Sequence, residues 1–246
     1  MKKTARMAAI AVALSVLGLT FAGRTLSYLS GRQEITNTFT VGDLELGLKE
    51  SEWEPEKGDG VSAVPGSSVY KNPTIKNVTS SKNGEQPCYA RMIVKILDES
   101  GNIITDQVRL SLIKTMLRYD AGYTGTYDAK GTGTAIQEGR IPGYSLEKIE
   151  ELPMLNPVFE LDEERSSDGV LVCNYNGRDG TGLLRNGDWA ALFTVLAVPT
   201  EWTKSEVDTV GDFQIRVSAE AIQSAGFADR RSAYQALDAE VEAYGQ

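Results

Sequence analysis

The segment Phe213 to Ala221 constrains the fold most strongly, because its apolar and polar residues alternate without interruption. The apolar positions are Phe213, Ile215, Val217, Ala219 and Ala221. Gln214, Arg216, Ser218 and Glu220 stand between them. A period of two residues predicts a β-strand with one buried face and one face toward water. Such a strand needs a sheet around it, so the chain should contain several more.

Four other segments carry strand patterns with turn residues between them. They are Val69 to Val78, Cys88 to Leu97, Val170 to Tyr175 and Trp189 to Val198. The second of them is apolar on both faces, which is typical of a central strand. From Phe39 to Leu48 the alternation shifts by one residue across Gly42-Asp43. This shift predicts a β-bulge within one strand or, alternatively, two strands joined by a tight turn.

Two further segments have helical spacing. Between Thr105 and Arg118, the residues Val108, Leu112 and Met116 fall on one side with Ile113 nearby, and Thr105 or Asp106 can cap the first amides. Asp229 to Tyr244 predicts a short C-terminal helix. Many short strands with few helices predict a mainly β protein, an antiparallel β-sandwich of jelly-roll type with one or two short helices.

The N-terminus has the order of an export signal. Lys2, Lys3 and Arg6 precede the apolar run Met7 to Ala22, and small residues follow at Thr25 and Ser27. This pattern predicts a signal peptide over residues 1–27, with a single secreted domain over residues 28–246. The apolar run is short for a membrane span, so no stable span is expected after cleavage. A buried helix or a retained anchor is the alternative.

Composition excludes several functions. The chain has no histidine, which removes the commonest zinc ligand and the base of a Ser-His pair, so we predict neither catalytic nor metal-site residues. It has 25 basic and 34 acidic residues, and loss of the four basic residues before Tyr28 lowers the net charge from -9 to -13. Such a chain is a poor partner for nucleic acid. The acidic segments Glu50 to Glu56 and Asp162 to Asp168 could hold calcium, but solvated surface is the alternative.

The chain has only two cysteines, Cys88 and Cys173. A secreted protein can form one disulfide between them. Cys88 shares its strand face with Ala90 and Met92, however, so two buried thiols are the alternative.

Several segments resemble the TasA and camelysin proteins of Gram-positive bacteria. The resemblance rests on Ser27-Tyr-Leu-Ser30, Thr36-Asn-Thr-Phe-Thr-Val-Gly-Asp-Leu-Glu-Leu46, Tyr70 to Val78, Tyr89 to Val94 and Phe213 to Gln223. It implies export with a dedicated signal peptidase and cleavage between Ser27 and Tyr28, although a cut after Ala22 is an alternative. It also implies a jelly-roll subunit of extracellular biofilm-matrix fibres, in the matrix or on the cell surface.

In that family the N-terminal strand of one subunit is implied to complete the sheet of the next. We therefore expect Tyr28 to Val41 to be the donor strand, with Thr36, Asn37, Thr38, Phe39 and Val41 as the assembly residues. The expected partners are further copies of the chain, joined head to tail, and a companion matrix or anchor protein.

Two alternatives remain at this point. The first is a monomeric adhesin that binds a carbohydrate or a host protein through loops near Trp53 and Tyr119 to Tyr127. The second is a metallopeptidase, as camelysin has been classed. A chain without histidine lacks the usual ligands of a zinc protease, so the peptidase is the weaker of the two.

Overall fold

The computed structural model describes residues 31–35, 44, 46–49, 65–80, 84–121 and 151–244. The strands in these ranges are β1 Gly31–Ile35, β2 Leu46–Lys49, β3 Ser68–Tyr70, β4 Thr74–Asn77, β5 Cys88–Asp98, β6 Leu117–Arg118, β7 Phe159–Leu161, β8 Val170–Tyr175, β9 Leu183–Leu184, β10 Trp189–Ala191, β11 Val195–Ala197 and β12 Phe213–Gln223. The helices are α1 Gln107–Met116, α2 Lys204–Val210 and α3 Arg230–Tyr244. The prediction of a mainly β protein is confirmed, and the described ranges contain three short helices where one or two were expected.

The strands form one large sheet and two small ones. The large sheet has the order β1-β12-β5-β8-β7, and β9 pairs with the start of β5. The small sheets have the orders β10-β4-β2 and β3-β11-β6. Among the strands that the structure describes, every pair is antiparallel except β1 and β12, which run parallel.

The pair β5 and β12 forms the centre of the large sheet. The two strands are in register over their full length, from Phe213 opposite Asp98 to Gln223 opposite Cys88. The alternating residues that predicted β12 point into the core, where Ile215 and Val217 are almost completely buried. The prediction that Cys88 to Leu97 is a central strand is confirmed, because β12 and β8 flank it.

All three sheets and α1 contribute to one hydrophobic core. A smaller cluster lies on the other face of the large sheet, where Tyr234 and Leu237 of α3 pack on Tyr89 and Ile222. The phenol of Tyr234 donates a hydrogen bond to the carbonyl of Ala90 at 2.9 Å. The C-terminal helix therefore covers one end of the outer face of the large sheet.

The helix predicted between Thr105 and Arg118 is present, but its buried stripe differs from the prediction. Leu110, Ile113 and Met116 are buried, whereas Val108 is 65% exposed. Arg109 explains why a different face of α1 is buried. Its guanidinium donates hydrogen bonds to the carbonyls of Val210 and Asp212 at 2.7 and 2.6 Å. This anchor turns the neighbouring Val108 toward solvent.

Two predicted strands are each divided in the structure. Val69 to Val78 becomes β3 and β4 on either side of Pro73, which cannot donate to a ladder. Trp189 to Val198 becomes β10 and β11. The helix α2 was not predicted, although its capping box between Thr203 and Glu206 is a readable start signal.

Candidate functional site at the edge of the large sheet

The strand β1 lies at one edge of the large sheet, beside β12. It covers five residues, and its register runs from Gly31 opposite Ile215 to Ile35 opposite Ala219. It therefore falls inside the segment that we expected to be the donor strand. The structure pairs this segment with β12 of its own chain, at the edge of the large sheet.

The strand that β1 covers is β12, whose apolar residues form part of the large core. Ile215, Val217 and Ala219 of β12 are at most 1% exposed, and they share the large core. Without β1, the backbone groups of β12 on this side would have no strand partner. An open sheet edge of this kind is a template for a further strand.

Three basic residues stand in one row across this edge. Arg32 of β1 is opposite Arg216 of β12, which is opposite Lys95 of β5. Lys95 and Arg216 are half-buried, and neither forms an ion pair or a side-chain hydrogen bond within the described part of the chain. Like charges directly opposite each other weaken a sheet. This row therefore destabilises the large sheet locally, although the protein is acidic overall.

The other end of the same face is held by an ion-pair network that fastens α3. The guanidinium of Arg91 on β5 contacts Glu220 on β12 at 2.6 Å and Asp238 on α3 at 2.6 Å. Asp238 also contacts Arg165 at 2.7 Å, and Arg165 contacts Asp162 at 3.0 Å. Arg91 and Glu220 are 5% and 6% exposed. This network will be called the α3 clamp.

Hydrogen bonds control the ionisation of Asp162 in the α3 clamp. Burial alone raises the pKa of this carboxyl, but hydrogen bonds from Asn174 and Arg165 outweigh burial and hold the pKa below its usual value. Asp162 therefore stays ionised and paired with Arg165. Part of the acidic segment that could have held calcium is thus used in a structural contact.

The two cysteines are buried and free, which is the second of the two alternatives drawn from the sequence. Cys173 is opposite Met92 on β5, and Cys88 lies four residues from Met92 along the same strand. That separation is about 13 Å, well beyond the roughly 7 Å between Cα atoms that a disulfide spans. Burial raises the pKa of each thiol to about 12.

Other predicted positions lie outside the described residues. These are the cleavage pair Ser27 and Tyr28, the assembly residues Thr36, Asn37, Thr38, Phe39 and Val41, the first acidic segment, and Trp53. Within the described ranges, no group of three or more acidic or cysteine side chains is placed to hold a metal ion. None of the helices in those ranges is long and apolar enough to cross a membrane.

The assembly residues named from the sequence did not include Gly31 to Ile35. This segment, Gly-Arg-Gln-Glu-Ile, contains one large apolar residue and no alternation. Its strand conformation comes from pairing with β12, about 180 residues further along the chain, and no local pattern reports such a partner. Only its place directly after the expected cleavage position pointed to it.

Comparison with known proteins identifies no relative. No family model, no curated protein and no solved structure matches the chain. The fold and the sheet edge therefore define a class only broadly, a mainly β protein whose N-terminal strand lies at an edge. The resemblance to the TasA and camelysin proteins stays a hypothesis.

Proposed function

We propose that the chain is a secreted structural subunit of extracellular fibres, with a jelly-roll β-sandwich fold, that assembles by donating its N-terminal strand to the next subunit. The position of β1 is the observation that supports this proposal most directly. It lies at a sheet edge, in the N-terminal part of the chain, and pairs with a strand that is distant in sequence. Export and signal cleavage would free the end that precedes it.

The same contact can form within one chain or between two. A β1 strand that leaves its own β12 and pairs with the β12 of a neighbour regains the same hydrogen bonds, as in domain swapping. Each backbone hydrogen bond contributes about 1 kcal/mol net, so opening this short strand costs only a few kcal/mol. Repeated in one direction, the exchange does not close and yields a filament. A retained signal peptide would hinder it before export.

Pairs of engineered cysteines distinguish the two arrangements. Glu34 is opposite Ser218 in the register of β1 and β12, and the native thiols are buried. We would prepare the single variants E34C and S218C, mix them under fibre-forming conditions and oxidise them. Strand donation predicts disulfide-linked dimers of E34C with S218C. The matched control is Q214C, on the same face of β12 but beyond the end of the β1 register, which should form few such dimers.

Electron microscopy gives the second measurement. Deleting Tyr28 to Thr38 from the mature protein should abolish fibres while the subunit stays soluble. Fibres that persist after the deletion contradict the proposal. So does a mixture of E34C and S218C that gives no mixed dimer while the double variant forms the bond within one chain.

A further inference from the structure

A cleft of about 740 Å³ opens beyond the end of β8, on the side of the large sheet away from β1. Its walls are the loop 176–182, the loop 185–188 and the side chain of Trp189. Tyr119 and Tyr175, both less than 10% exposed, also line it. The volume lies within the range of about 300 to 1,000 Å³ that is typical of small-ligand sites.

The first wall is held by its own hydrogen bonds. The amides of Asn176 and Gly177 both donate to the carbonyl of Val158, at 2.7 and 3.2 Å, and the amide of Gly182 donates to the carbonyl of Asn176 at 2.8 Å. Gly177 has a φ of 71°, and a Cβ there would come within 3.1 Å of the Asp179 carboxylate. The loop therefore has a defined shape without a ligand.

The second wall is equally fixed. The amide of Asp188 donates to the carbonyl of Arg185 at 2.9 Å, and the carboxylate of Asp188 accepts from the amide of Arg185 at 3.1 Å. Between them, the side chain of Asn186 accepts from the amide of Gln86 at 2.7 Å. Walls that are ordered beforehand reduce the entropy lost when a ligand binds.

Two guanidinium groups on these walls donate no hydrogen bond to any residue that the structure describes. Arg178 and Arg185 are exposed and line the cleft, and neither side chain donates a hydrogen bond within the described residues. By contrast, Arg91, Arg109 and Arg165 are all bonded. Each free guanidinium offers five N–H donors in a planar fork.

Arg178 lines the same cleft as the rings of Tyr119 and Tyr175, and its charge acts on both phenols. Burial raises the pKa of both Tyr119 and Tyr175, and the charge of Arg178 opposes the rise at each phenol. The negative charges of Asp188 and Asp179 raise the pKa of Tyr175 further. Charges of both signs thus surround the same rings.

This lining indicates the chemistry of a ligand. Its charged members are two arginines and two aspartates, Arg178, Arg185, Asp179 and Asp188, so the lining has no net charge to favour a simple anion. Donors and acceptors carried on ordered loops suit a ligand with many hydroxyl groups. The half-exposed ring of Trp189 suits an apolar face. Saccharide rings combine these two properties, with hydroxyls along the edge and C–H groups on the faces.

We propose that this cleft binds a neutral saccharide, whose hydroxyl oxygens accept hydrogen bonds from Arg178 and Arg185 while a sugar face packs on Trp189. The proposal does not depend on strand donation, because the residues of the cleft are separate from β1 and from the edge of β12 that it covers.

Titration calorimetry of the secreted protein tests the proposal. The probes are hexasaccharides of glucose in β-1,4, β-1,3 and α-1,4 linkage and of N-acetylglucosamine in β-1,4 linkage, with oligogalacturonate and inorganic phosphate as anionic probes. Concentrations up to about 10 mM detect dissociation constants near 1 mM. At least one neutral hexasaccharide should bind.

The variant R178Q/R185Q should weaken that binding by about tenfold for each hydrogen bond lost from a charged donor. Both residues are exposed on loops, so the melting temperature should not change. The matched control is R231A, an exposed arginine on α3 that does not line the cleft, which should bind as the wild type does. The proposal is overturned if no neutral hexasaccharide binds, if only oligogalacturonate or phosphate binds, or if R178Q/R185Q binds as tightly as R231A.

Discussion

Removing Arg91 should destabilise the protein far more than removing its neighbour in the α3 clamp. The guanidinium of Arg91 is the direct partner of Glu220, whose side chain is only 8% exposed. In the variant R91M, the carboxylate would remain buried without a counter-charge. Breaking a buried pair in this way costs about 3–5 kcal/mol.

The matched control is R165M. Arg165 contacts the same Asp238 and also Asp162, but its side chain is 25% exposed, against 6% for Arg91. Solvent screens both contacts, and Asp162 keeps its hydrogen bond from Asn174, so R165M should cost about 1 kcal/mol. The two variants thus remove the same kind of group from the same network and differ in burial.

The double variant R91M/E220L tests the cause of the loss. With both charges replaced by apolar groups, no buried charge is left unpaired, and such replacements are often neutral or stabilising. The double variant should therefore be more stable than R91M alone. A loss caused by reduced packing around Arg91 would instead persist in the double variant.

Equilibrium urea unfolding, followed by circular dichroism, measures these differences. With a slope of about 2 kcal/mol per molar urea, R91M should lower the unfolding midpoint by about 2 M, and R165M by about 0.5 M. The reasoning is refuted if R91M and R165M have the same midpoint, or if R91M/E220L is as unstable as R91M.

Three further predictions follow from the described contacts. The variant K95E should raise the free energy of unfolding by about 0.2–1 kcal/mol in urea, because it faces Arg216 with an opposite charge. Cys88 and Cys173 should resist a thiol reagent in the native state and react fully in urea, since both are buried with a raised pKa. Asp162 has a lowered pKa, so its stabilisation is present above the usual value of 3.8 and is lost as pH falls through the lower folded value. Acid unfolding of D162N should therefore show a weaker pH dependence there, and an unchanged profile would contradict that role.

Local patterns in the sequence predicted the elements whose cause is local. Alternation identified β12, a doubly apolar run identified β5 as central, and helical spacing with a cap at Thr105 or Asp106 identified α1, whose cap in the structure is Asp106. The buried stripe of α1 could not be predicted in the same way. It depends on Arg109 reaching the carbonyls of Val210 and Asp212 at the C-terminal end of α2, a contact between residues about 100 positions apart.

The candidate sites were less visible for the same reason. The loops 176–182 and 185–188 contain turn-forming Asn and Gly residues, but nothing in their sequences indicates that the two loops line one cleft. That relation follows from the pairing of β9 with β5 and of β10 with β4. The strand β1 has no local signal at all. Sequence patterns thus report a residue's own element, while both candidate sites depend on which elements meet.

The two proposals together have a consequence for affinity. If subunits join at the β12 edge, each one keeps its cleft on the other side of the large sheet, away from the joint. A filament would then present identical clefts at regular intervals. Binding at one cleft raises the effective concentration of a long polysaccharide at the next, and avidity can exceed the single-site affinity by about 10² to 10⁴. A weak single-site affinity is therefore sufficient for firm attachment of a fibre, whereas a monomer with the same cleft would bind a polysaccharide only weakly.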